Sequence, residues 1–168
     1  MKIRFLVPAL LAGAVFASGC ASLAPPERPA YTGPDNISSA QSEQLVGVWL
    51  VTDLNPYPNS EQQSTVIEYR SDGSVSGLME LKGEQYESLA AFGDMQFEMS
   101  GQWTLEGDTV THKDIKMKST KEGGLSTMMA NMVNSQEGIS GKANIYELSA
   151  DRIVMMGSDG AAMEYIRQ

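Results

Sequence analysis

The sequence has only one cysteine and one histidine among its 168 residues, so the side chains most used in metal binding and catalysis are nearly absent. Cys20 has no partner for an internal disulfide, and His112 has no second histidine with which to form a zinc site. The chain also lacks a Gly-x-Ser-x-Gly elbow and a calcium loop of alternating aspartates. His112 lies in the polar run Thr111–Asp114 and is predicted to face solvent. We therefore expect no enzymatic activity, no catalytic residue and no cofactor.

Basic residues are also scarce, with 12 lysines and arginines against 21 aspartates and glutamates and a formal net charge of −9. An acidic chain repels phosphate backbones, so we expect no nucleic-acid partner. An anionic membrane surface would repel it for the same reason. Any contact with a membrane is therefore expected to come from an attached lipid and not from a face of the protein.

Only one long apolar run is present, Phe5–Phe16, and it is too short for a bilayer, which requires roughly 20 residues. Lys2 and Arg4 precede the run, and small residues follow it at 17–19. This order of basic, apolar and small residues is typical of a signal peptide. We expect residues 1–19 to be removed on export, which leaves ten basic and 21 acidic residues and a net charge of −11.

The lone cysteine follows directly, and Ala17-Ser18-Gly19-Cys20 resembles the lipobox of bacterial lipoproteins, although Ala17 stands where Leu is usual. This resemblance implies that Cys20 is acylated and anchors the chain in a lipid bilayer. Position 21, after the cysteine, is Ala and not the aspartate that retains lipoproteins at the inner membrane. The resemblance therefore implies the cell envelope of a Gram-negative bacterium, at the periplasmic face of the outer membrane. The alternative is an ordinary signal peptide with an incidental cysteine.

Residues 20–43 are predicted to form the lipidated cysteine and an extended tether, because Pro25, Pro26, Pro29 and Pro34 lie among small and polar residues. From residue 44 to residue 168, apolar residues mostly recur with the period of two that half-buried strands require. The clearest case is the strand at Met95, whose alternate residues are apolar. The predicted strands are Leu45–Thr52, Thr65–Arg70, Val75–Lys82, Met95–Leu105, Thr109–Lys118, Asn144–Ser149, Arg152–Met156 and Ala162–Arg167.

Two segments depart from this pattern. Glu84–Phe92 is predicted to be a helical turn or an irregular loop. Leu125–Asn134 is predicted to be a short amphipathic helix, whose apolar stripe consists of Leu125, Met128, Met129, Met132 and Val133. Eight short strands at hairpin spacing predict an all-β fold, an antiparallel up-and-down barrel of about eight strands with the helix over one end or on the side. A barrel of this size is either filled by its own side chains or holds one small ligand.

The first strand, Leu45-Val46-Gly47-Val48-Trp49, resembles the Gly-x-Trp signature of lipocalin-like domains. Arg167, at the end of the last strand, stands where that group often places an arginine over the signature tryptophan. The resemblance implies a lipocalin-like barrel over residues 44–168 in which Gly47, Trp49 and Arg167 are structural residues. The Thr-Asp-Tyr motif of the animal lipocalins is missing, so their ligands do not carry over.

Three hypotheses about function remain open at this point. In the first, the barrel binds a small apolar or amphipathic molecule, and the candidate lining residues are Tyr69, Met79, Phe97, Met99 and Trp103. In the second, the same residues fill a packed barrel, and the methionine-rich helix or an acidic face docks an envelope protein. In the third, Met128, Met129 and Met132 bind Cu(I), which thioethers suit.

Overall fold

A computed structural model of the chain describes residues 28–35, 37–57, 64–81, 94–121, 123–135 and 140–168. The proposed signal peptide, Cys20 and the predicted turn or loop Glu84–Phe92 lie outside the described residues.

Eight antiparallel strands form a closed barrel in which each strand pairs with its neighbours in chain order and β8 closes against β1. This confirms the predicted all-β up-and-down barrel. The strands are β1 (Gly47–Asp53), β2 (Ser64–Tyr69), β3 (Ser74–Leu81), β4 (Met95–Glu106), β5 (Thr109–Ser119), β6 (Gly141–Leu148), β7 (Arg152–Gly157) and β8 (Ala162–Arg167). The helices are a single turn, α1 (Ser42–Leu45), and α2 (Gly124–Asn134). Neither helix of the described chain is long and apolar enough to cross a membrane.

The barrel has two distinct ends, which we name after residues of β1. At the Trp49 end lie the start of β1, the end of β8 and three tight turns, and α1 precedes β1 there. At the Asp53 end lie the connections β1–β2, β3–β4, β5–β6 and β7–β8. The sequence predicted a strand from Leu45, but Leu45 instead ends α1, where it is fully buried and its carbonyl accepts a hydrogen bond from Trp49 Nε1 (2.7 Å).

The barrel wall opens between β5 and β6. These strands pair only over Thr109–His112 and Gly141–Asn144, whereas β5 continues to Ser119. Just beyond the pairing, Asp114 adopts a positive φ of 53°, and the register of β4 with β5 shifts between Ser100 and Gln102. Such irregularities bend a strand away from its partner. Helix α2 packs against the part of β5 that β6 leaves uncovered.

The core consists of two clusters of buried residues. One fills the Trp49 end and includes Leu45, Trp49, Tyr69 and Trp103. The other lies toward the Asp53 end, where β3, β4 and β5 contribute apolar side chains against α2. Its members are Met79, Leu81, Met95, Phe97, Met99, Met117, Ala130 and Val133.

The predicted tether differs from the structure from Arg28 onward. Residues 28–35 and 37–41, which we call the strap, lie against the barrel and do not form a free linker. Arg28 Nη1 pairs with Asp53 Oδ2 (2.5 Å), and the Tyr31 hydroxyl donates to Glu147 Oε1 (2.6 Å). Ile37 and Ala40 pack against the core cluster of the Trp49 end. A proline-rich composition favours an extended backbone, but here aromatic and charged side chains within it supply the contacts that order it.

Candidate functional site

An apolar cavity of about 150 Å³ lies inside the barrel and is partly open to the surroundings. Inward-facing side chains from most of the strands form its wall, and side chains from both core clusters contribute to it. The apolar side chains of this wall are Val51, Ile67, Val75, Met99, Ile115, Ala143, Met155, Ala161, Met163 and Tyr165. A cavity of this size is large enough for a benzene-sized group.

All five residues predicted to line a ligand site are buried in the barrel. Of the five, only Met99 borders the cavity. Tyr69 and Trp103 pack edge to face in the cluster of the Trp49 end, with ring centroids 5.1 Å apart. Met79 and Phe97 pack in the other cluster, under α2. The structure therefore gives four of the five residues a packing contact instead of a place in the cavity wall.

One corner of the cavity is polar. The Tyr69 hydroxyl and His112 Nε2 lie 2.8 Å apart and are hydrogen-bonded, and His112 and Tyr165 both border the cavity. The prediction that His112 faces solvent is wrong, because His112 shares the inward face of β5 with the buried Val110, before the irregularity at Asp114 shifts the alternation. Burial lowers the pKa of His112 to about 4, so the imidazole is neutral at pH 7. Burial also raises the pKa of both tyrosines. The corner therefore offers neutral hydrogen-bonding groups and no charge.

The Trp49 end is closed by the three residues that carry the lipocalin resemblance. The Arg167 guanidinium lies 4.1 Å from the centre of the Trp49 ring and donates to the carbonyls of Val46 (2.9 Å) and Gln44 (2.9 Å). Gly47 has a φ of +142°, and a Cβ at this position would overlap the guanidinium. These contacts block access to the interior from the Trp49 end.

The methionines of α2 do not share one face. The buried residues of the helix are Ser126, Ala130 and Val133, and the Ser126 hydroxyl lies 2.8 Å from that of Ser119. Met128 and Met132 are 61% and 44% exposed, whereas Met129 is partly buried against the core. The predicted stripe is therefore rotated, because the small residues allow the helix to approach β5 closely. Two thioethers face solvent one helical turn apart, and the third does not join them.

The described residues contain no cluster of three or more histidine, cysteine, aspartate or glutamate side chains arranged to hold a metal ion. A second, wider groove of about 1030 Å³ lies on the outside of the barrel and is bordered by Glu98, Lys116, Lys118 and residues of α2. This groove is more open to solvent than the interior cavity, so a small molecule in it would keep more of its hydration. The interior cavity is therefore the better candidate binding site.

Sequence reasoning missed most of the cavity wall. Val51, Met155 and Met163 lie at inward positions of strands that were predicted, so alternation contained the signal for them. Ala143 lies one residue before the predicted strand Asn144–Ser149, because β6 begins earlier, at Gly141. The sequence pattern does not predict the size of the cavity, because this size depends on how far β5 and β6 separate.

No protein-family model matches the chain, and no curated protein matches it. Among solved structures, the NMR structure of a protein from Burkholderia xenovorans is similar to it, with a TM-score of 0.42 and 10% sequence identity. The similarity covers 91% of this chain and 99% of that one.

Proposed function

We propose that the protein is a lipid-anchored binding barrel of the bacterial envelope, which holds a small apolar or amphipathic molecule in its interior and catalyses no reaction. The observation that carries this proposal is the apolar cavity of about 150 Å³ between the two core clusters. A barrel that served only as a packed support would gain stability by filling such a space, since core cavities are destabilising. The cavity therefore supports a binding role.

The ligand class follows from the wall. Apolar side chains surround most of the space, and the only histidine, which borders it, is neutral at pH 7. Away from the rim, where Lys142 and Asp159 are exposed, a charged group would lose its hydration without gaining an opposite charge. The cavity is also smaller than the 300 Å³ or more that is usual for drug-sized ligands. It therefore fits a small uncharged molecule, or the apolar part of a larger amphipathic one.

Filling the cavity tests the binding role. Ala143 borders the cavity, so Ala143→Leu adds three carbon atoms within it, whereas Ala150→Leu makes the same change at an exposed position before β7. Protein purified from membranes in mild detergent is examined by native mass spectrometry for retained small molecules. We expect a retained molecule in the wild type and Ala150→Leu, and its loss in Ala143→Leu. If each of the three proteins showed only the mass of its own bare chain, with no adduct, the proposal would be contradicted.

The lipid anchor is tested separately. Cells are grown with radioactive palmitate, and the wild type is compared with Cys20→Ser. We expect label on the wild type alone and a mature chain that lacks residues 1–19. An unlabelled wild type, or one that keeps those residues, would exclude the anchor without affecting the binding test.

A second candidate function is the docking of a partner protein through α2, and the exposure of Met128 and Met132 favours it. Two adjacent flexible apolar side chains in water are typical of adaptable binding surfaces. Of the three methionines proposed to bind Cu(I), only these two are available at the surface, since Met129 packs against the core. Crosslinking in cells should capture a specific partner that Met128→Ser/Met132→Ser loses and Asn131→Ser, on the same helix, retains. A partner retained by the double variant would rule out this surface.

A further inference from the structure

The strap fixes the end of the barrel from which the N-terminal segment departs. Arg28 pairs with Asp53 and donates to the carbonyl of Asn55 (3.0 Å), and Asn55 Nδ2 donates to the carbonyls of Pro29 (2.7 Å) and Gly160 (2.9 Å). The guanidinium of Arg28 also lies 4.5 Å from the ring centre of Tyr57. All these partners belong to the ends of β1 and β8 at the Asp53 end. A membrane anchor upstream of Arg28 would therefore hold the barrel by its Asp53 end.

The distance from this point to the proposed anchor is short. Only residues 21–27 separate Cys20 from Arg28. Eight Cα steps span at most about 29 Å even when fully extended. The longest strand, β4, has 12 residues and spans about 30 Å along a barrel axis from which it tilts by about 40°. The peptide between Cys20 and Arg28 would thus have to be fully extended along the whole barrel wall for an acyl chain on Cys20 to reach the Trp49 end.

The cavity reaches the surface at the same end. Five residues at this end border the cavity. Gly141 and Lys142 begin β6, Gly157 ends β7, and Asp159 and Ala161 lie in the β7–β8 connection. Lys142 and Asp159 are exposed. At the opposite end, Trp49 and Arg167 close the barrel. The attachment point and the accessible part of the cavity therefore coincide.

We propose that the barrel stands on the bilayer with its Asp53 end toward the lipid and that its cavity, of about 150 Å³, takes up part of the acyl chain of a membrane lipid. The inference rests on the proposed lipid anchor and makes the ligand of the proposed binding barrel more specific. Acyl chains are the apolar groups that a membrane offers to such a cavity, and they lie beneath the layer of headgroups. The neutral His112 and Tyr165 then lie beside the chain at the inner corner of the cavity.

A pair of matched serines tests the orientation. Ser158 lies exposed in the β7–β8 connection at the Asp53 end, and Ser71 lies exposed in the β2–β3 turn at the Trp49 end. A photoreactive benzoylphenylalanine replaces one or the other in the full chain, and the mature protein is placed in vesicles of phosphatidylethanolamine and phosphatidylglycerol. After illumination, phospholipid adducts are measured by mass spectrometry. We expect about tenfold more adduct at 158 than at 71, because a short linker holds one end at high effective concentration. Equal labelling, or more at 71, would overturn the orientation.

A longer tether provides the control. Twenty glycine and serine residues inserted between Glu27 and Arg28 leave every strap contact in place but add roughly 25 Å of average reach. The ratio of the two adducts should then fall toward one. A ratio unchanged by the insertion would overturn the role of the short tether. Flotation with the vesicles is measured first, and protein that fails to float indicates that the lipid anchor itself is wrong, which overturns this inference as well. Floating protein with equal labelling overturns the orientation alone.

Discussion

The side-chain amide of Asn134 occupies the position of a missing strand beside Met117. Its Nδ2 donates to the Met117 carbonyl (2.7 Å), and its Oδ1 accepts from the Met117 backbone N–H (2.8 Å). A paired strand would make the same two hydrogen bonds to β5, but β6 pairs with β5 only as far as His112. The last residue of α2 thus covers an edge that would otherwise be open, and it does so where the barrel opens.

Replacing this amide should destabilise the barrel. Asn134→Ala removes both hydrogen bonds and should lower the free energy of unfolding by about 1–2 kcal/mol, because each contributes about 1 kcal/mol and the site is only part-buried. Asn131→Ala, on the same helix with an exposed side chain, should change it by less than about 0.5 kcal/mol. Urea titration of both variants provides the comparison. Equal effects would show that the Asn134–Met117 pair has no special role.

Gly47 should tolerate no side chain while Arg167 is present. Gly47→Ala forces a residue with a Cβ to a φ of +142° and into the space of the guanidinium. We expect a loss of about 1–3 kcal/mol, typical of backbone strain and overpacking. Arg167→Ala in the same background should recover part of the steric cost, so the two effects should not add. Strictly additive losses would contradict the assigned contact.

Stability should fall in mild acid because of His112. Its pKa is about 4 in the folded protein and about 6.5 when unfolded, so between these values the unfolded chain binds a proton that the folded chain does not. The free energy of unfolding should therefore decrease as the pH falls from 6.5 to 4, by up to about 3 kcal/mol. Above pH 6.5 the imidazole is neutral in both states, so His112 causes no loss of stability there.

The control for this titration is His112→Gln, which removes the only histidine and leaves every carboxylate in place. The difference between the pH slopes of the wild type and this variant isolates the imidazole. Identical slopes between pH 6.5 and 4 would show that His112 is not buried as described.

The ion pair of the strap should matter more than an ion pair on the surface. The Arg28 and Asp53 side chains are 6% and 15% exposed, whereas Arg70 and Glu68 are 44% and 40% exposed. Arg28→Ala leaves the Asp53 carboxylate unpaired in a largely buried position and should cost about 1–3 kcal/mol. Arg70→Ala should cost less than about 1 kcal/mol. Thermal unfolding of the two variants tests this order, and a larger loss for Arg70→Ala would contradict it.

The sequence predicts the barrel well because its main signal is alternation. Along β4, Met95, Phe97, Met99 and Trp103 face inward, as expected from a period of two. Glu98, Ser100 and Gln102 lie between them and are exposed. The predicted bounds of β8 match the observed Ala162–Arg167. A barrel follows from eight such strands because closure removes their exposed edges.

Other features depend on contacts that no local pattern contains. The prolines of the strap predict a free tether, but Arg28 and Tyr31 find partners 25 and 116 residues away. The methionines of α2 predict a buried stripe, but Ser126 and Ala130 allow a closer approach and the helix rotates. The cavity depends on where β5 separates from β6, which a positive φ at Asp114 and a register shift decide.

The central claim is that the interior of the barrel is an accessible apolar space, and xenon tests it most directly. Crystals of the protein under xenon pressure should show a xenon atom bordered by Val51, Ile67 and Met155, because dry apolar cavities of about 150 Å³ bind this gas. Ala143→Leu should abolish the site, and Ala150→Leu should retain it. A wild-type barrel that admits no xenon, with its side chains packed across the space, would contradict the account.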